Sequence, residues 1–304
     1  MNFLLGLLLL CFFQTRAFSL SHLKEQNLLI QTGWELFKSD RNFSSDGESV
    51  LLRTNGTPSS LSQHAFLVSA DYGVTDVWAF LFRTGVLSAQ IDPEGASQDL
   101  STGLGFSDTG LGFRWLGRKA RPAIGVEGLL LFPPYSVSDL GPEGLAIGDG
   151  VSNFLLRVPL STRFKRVRFE ISPGIKFRFG RFSHQLLIDS SLQLQLKRFF
   201  FGVFQEGVFS FTKENLLTSS TINSEPGSGG SFSRLSLGPE VLQLGVRSGF
   251  RFSDKFELAA LFSQAVWGSS SADGFKIGLQ LSTHIDFFTP DERERIKEVP
   301  LNSD

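Results

Sequence analysis

Residues 167–179 read Val167-Arg168-Phe169-Glu170-Ile171-Ser172-Pro173-Gly174-Ile175-Lys176-Phe177-Arg178-Phe179. One parity is apolar throughout, from Val167 to Phe179, and the other holds Arg168, Glu170, Ser172, Gly174, Lys176 and Arg178. A strand points successive side chains to opposite faces and keeps these sets apart, whereas a helix would mix them around its circumference. The segment is therefore read as a long amphipathic strand.

The same pattern recurs towards the end of the chain. Phe275, Ile277, Leu279, Leu281, Ile285 and Phe287 alternate with Lys276, Gly278, Gln280, Ser282, His284 and Asp286. Shorter alternations run through Leu186 to Lys197 and through Leu242 to Phe252, with weaker strands near 31–38, 63–72, 77–86, 109–116, 122–132, 151–160, 199–211 and 256–267. Together these make twelve strands.

The links between them alternate in length. Short ones fall at Gly73–Asp76, Gly117–Arg121, Ser161–Arg166, Lys197–Arg198 and Ser253–Lys255. Links at 39–62, 87–108, 133–150, 180–184, 212–234 and 268–273 are mostly longer and rich in Gly, Ser, Asn and Pro. Short periplasmic turns, long outer loops and an even strand count are the pattern of a transmembrane antiparallel up-and-down β-barrel, with both termini in the periplasm. Alternation alone does not say which face is wet: a soluble secreted barrel or a sandwich shows the same period with its apolar side inward.

Composition bounds the remaining choices. The 304 residues carry 29 basic and 30 acidic side chains, so no net field recruits nucleic acid. Phenylalanine dominates the aromatics, with 32 Phe against 4 Trp and 2 Tyr, and so many rings need an apolar medium, either a core or lipid. No window after the N-terminus is long and apolar enough for a membrane helix. The run Leu4–Phe13, followed by Thr15-Arg16-Ala17, reads as a signal peptide over 1–17, although Met1-Asn2-Phe3 lacks a basic residue. It contains the only cysteine, Cys11; a lipoprotein reading would lipidate that residue but places Leu10 where a small residue is needed. Residues 18–30 are expected to form a periplasmic segment, 31–288 the barrel and 289–304 a charged periplasmic tail opened by the capping box Thr289-Pro290-Asp291-Glu292. The expected location is the bacterial outer membrane, with its lipid and the barrel assembly machinery as partners.

Three stretches resemble a known family. Asp71-Tyr72-Gly73-Val74-Thr75-Asp76, ahead of an alternating strand, resembles the tyrosine-glycine-leucine-threonine-aspartate turn of the meta-pathway phenol-degradation family of outer-membrane barrels, with Val74 where leucine is usual. Phe106-Ser107-Asp108-Thr109-Gly110-Leu111-Gly112-Phe113-Arg114-Trp115 is similar to that family's aspartate, small-residue and glycine segment, and Phe132-Pro133-Pro134-Tyr135 falls where the family has a strand-ending proline. The likeness spans about residues 31–287. It implies a barrel giving low-specificity passage to small, often apolar molecules. The family's tyrosine-rich girdle would have to be replaced here by Trp34, Trp78, Trp115, Trp267 and Phe.

The polar parity supplies the candidate lumen-lining residues Arg114, Glu127, Arg157, Arg168, Glu170, Lys176, Arg178, Arg247, Arg251 and Lys276. Arg83 and Lys197 belong with the bases, and Glu35, Asp71, Asp189, Glu257 and Asp286 with the acids. Two readings stay open: a polar channel with mild anion preference, or cross-strand ion pairs that fill the interior of a closed structural or surface-binding barrel. An enzyme is not expected. His22, His64, His184 and His284 form no hydrolase motif, the Ser183-His184 adjacency says nothing about folded proximity, and Gly103-Leu104-Gly105 and Gly148-Asp149-Gly150 precede no helix that could hold phosphate. No cofactor or metal is expected.

Overall fold

The computed structural model describes residues 25–44, 46–54, 57–93, 100–101, 105–117, 122–133, 152–179, 183–211, 240–269 and 271–287. The expected signal peptide, the charged tail and most of the long links lie outside them. All twelve strands are present: β1 Asn27–Phe43, β2 Thr57–Gly73, β3 Trp78–Pro93, β4 Thr109–Leu116, β5 Ala123–Phe132, β6 in two pieces (Asn153–Arg157 and Leu160–Phe164), β7 Val167–Arg178, β8 Gln185–Leu196, β9 Phe199–Ser210, β10 Glu240–Arg251, β11 Phe256–Ser269 and β12 Ser271–Asp286. Every neighbouring pair is antiparallel, and β1 bonds both β2 and β12, pairing Leu28 with Tyr72 on one side and Ile285 on the other. The sheet is closed and leaves no edge.

Burial decides the orientation that alternation leaves open. Along β7, Phe169 and Phe177 are exposed on one parity while Glu170, Lys176 and Arg178 are buried on the other. A soluble barrel would show the reverse. The outward faces carry Leu, Val, Ile and Phe, including Leu130, Leu192, Val203, Val246, Phe262 and Leu279, all exposed. Water rejects such a continuous apolar belt and lipid accepts it, so this is an outer-membrane β-barrel. Exposed aromatics gather at the strand ends: Trp78, Phe164, Phe199 and Phe256 at the short-turn end, and Phe106, Phe132, Phe179 and Trp267 at the other. Phenylalanine thus takes most of the girdle positions.

The turns are tight for stated reasons. Thr75 Oγ1 accepts from the Val77 and Trp78 amides, closing the β2–β3 link of the Asp71–Asp76 stretch. The β6–β7 and β8–β9 links are Lys165-Arg166 and Lys197-Arg198, and both lysines take positive φ, as two-residue hairpins require. Val158-Pro159 interrupts β6 opposite Ser172-Pro173 of β7, so each strand brings a residue without an N–H to the same break, bridged by Val158 N–H to Pro173 O at 2.9 Å.

Several boundaries shift. β1 begins at Asn27 rather than 31, and β1, β2 and β3 run 17, 17 and 16 residues, well past the expected ends on the long-loop side. The expected link 161–166 shrinks to two residues, because β6 continues to Phe164. Lys197 does not face inward: it occupies an exposed turn, and Asp286 is exposed at the rim.

Candidate functional site: the charged interior

Inward side chains form two zones. Buried ion pairs bridge the strands inside the barrel. Asp71 of β2 accepts from Arg83 of β3 and, at 3.0 Å, from Arg114 of β4, whose Nη2 also reaches Glu127 of β5 at 2.8 Å. Arg157 of β6 reaches over β7 to Asp189 of β8 at 3.0 Å. The notch it uses is Gly174, where a Cβ would lie 2.6 Å from Arg157 Cγ. Lys276 of β12 meets Glu206 of β9 at 3.3 Å, skipping two strands. Side chains of Arg157 and Lys276 are each 1% exposed. These buried, mutually bonded charges form a septum in the interior.

The second zone is a cavity of about 310 Å³ between the septum and the short-turn end. Arg168, Glu170, Arg247 and Arg251 line it. Arg168 pairs with Glu170 at 2.7 Å; Arg247 and Arg251 both approach Glu257, at 3.8 and 3.2 Å. Arg247 also donates to Gln280 Oε1 at 3.0 Å and stacks over Phe200, 5.4 Å from the ring centroid. A smaller cavity of about 40 Å³, room for roughly one water, shares Glu170, Gln193 and Arg247 and continues to Asp189 and Glu206 of the septum.

All ten candidate residues lie on the inward parity, but they do not form one lining. Arg114, Glu127, Arg157 and Lys276 build the septum, and Arg168, Glu170, Arg247 and Arg251 the cavity. Lys176 and Arg178 are buried towards the long-loop end, where Arg178 Nη1 donates to Ser183 Oγ at 3.4 Å. Sequence reasoning missed Glu206, because β9 is apolar on both parities around it, and it missed Arg163 and Arg166, which it left in a link. It also missed an apolar inner patch: Leu129, Leu131, Leu155, Leu187, Val208 and Val241 pack together inside the barrel. The signal was the run Gly128-Leu129-Leu130-Leu131-Phe132, where alternation stops.

The Ser183-His184 pair does not come together in the fold. Ser183 is buried inward while His184 faces the outer wall between Phe177 and Phe211, so the sequence neighbours sit on opposite faces. Among the described residues no group of three His, Cys, Asp or Glu is placed to hold a metal ion.

No family model matches the chain, and no curated protein matches it either. Solved structures do. The COG4313 outer membrane channel from Pseudomonas putida F1 superposes with a TM-score of 0.64 at 11% identity, over 90% of this chain and 100% of that one. The NanC porin gives a TM-score of 0.47 at 8% identity, covering 84% of this chain and 98% of the other. A deletion mutant of the TodX monoaromatic hydrocarbon channel gives 0.45 at 8%, over 89% and 92%. The first likeness, at that identity, establishes the fold: this chain is a closed twelve-strand barrel of the outer-membrane type.

Proposed function

We propose that the barrel is an outer-membrane channel giving low-specificity passage to small solutes, with the ion-pair septum as its constriction. One observation carries this reading: a charged cavity lies inside the barrel at the short-turn end, and its residues Glu170, Gln193 and Arg247 also line a smaller cavity that reaches Asp189 and Glu206 of the septum. Lipid would reject such a surface and water stabilises it. The solved neighbour with the same fold is a channel, which supports the reading, as does the resemblance of the 71–76 and 106–115 segments to the phenol-degradation barrels. The ten candidate residues then serve as lumen groups, the short-turn end faces the periplasm, and insertion depends on the barrel assembly machinery. The apolar patch around Leu129 and Leu187 offers a surface for the apolar part of a solute.

A second reading, a closed structural or surface-binding barrel, is favoured by the near-complete burial of Arg157 and Lys276. Purified protein in a planar bilayer separates the two. The channel reading expects current steps with slight anion selectivity, made more frequent by the paired substitution Lys276→Ala with Glu206→Ala, which removes both the ion pair and its side-chain volume from the septum. No conductance from either protein, together with no solute uptake by loaded vesicles, overturns it in favour of the closed barrel.

A further inference from the structure

The cavity at the short-turn end has a charge pattern that its own residues do not complete. Five arginines line it: Arg163, Arg166, Arg168, Arg247 and Arg251. Only three carboxylates do, those of Glu170, Asp254 and Glu257. The excess is local. Arg163 and Arg168 are directly opposed across the β6–β7 pair, an arrangement that costs stability between like charges, and the near carboxylate, Glu170, is engaged by Arg168. On the far side Arg247 and Arg251 share Glu257. On that side, then, two guanidiniums meet one carboxylate. Arg166 has no acidic partner among the described residues, and neither has Arg163, whose Nε donates to the Lys165 carbonyl at 3.1 Å.

We propose that this vestibule binds a small organic carboxylate. A guanidinium presents a planar fork that matches a carboxylate in two parallel hydrogen bonds, so one bound anion would relieve the Arg163–Arg168 opposition and satisfy donors that the protein leaves over. Gln193, Gln195 and Ser282 add neutral hydrogen-bonding groups beside them. The organic part follows from Leu29, whose buried side chain gives the cavity an apolar patch. A volume of about 310 Å³ lies at the lower end of small-molecule pockets, so the anion is small. Passage through the barrel would bring such a solute here, and to that extent the proposal rests on the channel reading; binding itself needs no conduction.

Isothermal titration of the detergent-solubilised full chain tests it, with benzoate as probe and benzamide and inorganic phosphate in parallel. Benzoate should bind saturably at one site and benzamide, of similar shape but uncharged, should not. Arg163→Gln with Arg168→Gln should weaken benzoate about tenfold or more, the loss expected for charge-assisted hydrogen bonds. Glu170→Gln removes a competing carboxylate and should tighten it, which keeps the test decisive if the double variant misfolds. Absent benzoate binding, equal binding of benzamide, or unchanged affinity in a folded double variant overturns the proposal; phosphate binding as tightly as benzoate overturns the organic carboxylate. A barrel that conducts but binds no benzoate defeats this inference alone, and one that binds but never conducts defeats the channel reading alone.

Discussion

Replacing Val203 with arginine tests whether the outward parity faces lipid, and how deeply. Val203 is 54% exposed on β9, and its partners across the two neighbouring strands, Leu192 and Val246, are exposed as well. It stands four residues from Phe199, the short-turn end of its strand. A strand that rises about 3.4 Å per residue and tilts about 40° gains roughly 2.6 Å of depth per residue, which places Val203 about 10 Å above that end, close to the middle of a band roughly 25 Å tall. Arginine at the midplane costs about 2–4 kcal/mol and near an interface about 0–1. Val203→Arg is thus expected to cost about 3 kcal/mol, and Phe169→Arg, only two residues from Val167 and about 5 Å deep, about 1 kcal/mol. Gln193→Arg points into the cavity instead and should cost less than Val203→Arg. Guanidinium titrations of folding into vesicles, read by tryptophan fluorescence, measure all three. The lipid-facing assignment fails if Val203→Arg costs no more than Gln193→Arg, and the depth reasoning fails if Phe169→Arg costs as much as Val203→Arg.

The septum makes a coupled prediction. Lys276→Met strands Glu206 in the interior and should cost about 3–5 kcal/mol, whereas Lys276→Met with Glu206→Leu should recover most of that loss; a double variant as damaged as the single one would show that the two are not coupled. Gly174→Val would push a side chain into Arg157 and the Leu156 carbonyl, separating Arg157 from Asp189 at a cost of about 3 kcal/mol or more, checked by the same titration and refuted by a stability near that of the parent. Lys165→Cys should escape an impermeant thiol reagent on intact cells and react once the outer membrane is permeabilised; labelling of intact cells would invert the barrel.

Strand number and face were legible because the membrane imposes period two on nearly every strand. What that period cannot encode is which side is inside, since a lipid-soluble and a water-soluble barrel differ only in where the apolar parity points; the buried Lys176 and Arg178 against exposed Phe177 resolve it. Strand ends were less legible. Residues 39–43 and 57–62 have the Ser- and Asn-rich composition of a loop, yet pairing carries on through them, because hydrogen-bonded ladders can project beyond the apolar belt. β9 hid its one inward acid: Phe199, Phe200 and Phe201 fill both parities, Phe200 packing inward under Arg247 while its neighbours face out, so Glu206 stood in a run without visible faces. Lys197 was misassigned because extending the period of β8 by one step ignores the positive φ that a two-residue turn demands.

In the channel reading the two interior zones would divide the tasks of barrier and selection. In the septum the bonded groups balance: Arg83, Arg114, Arg157 and Lys276 face Asp71, Glu127, Asp189 and Glu206. A balanced network presents little net field, so what it opposes is the opening of its own ion pairs, whatever the sign of the passing solute. The cavity below it is unbalanced, with arginines in excess of carboxylates, and it sits within a wall backed by lipid, where a low dielectric focuses the field along the barrel axis. In that reading charge selection would belong to the vestibule. It also carries its own signature, because partly exposed groups such as Arg251 are screened by salt over about 10 Å at 0.1 M while buried pairs such as Arg157–Asp189 are screened far less. Raising ionic strength should erase anion preference while leaving the frequency of opening nearly unchanged. Selectivity and opening frequency that fall together with salt would place both tasks in a single zone.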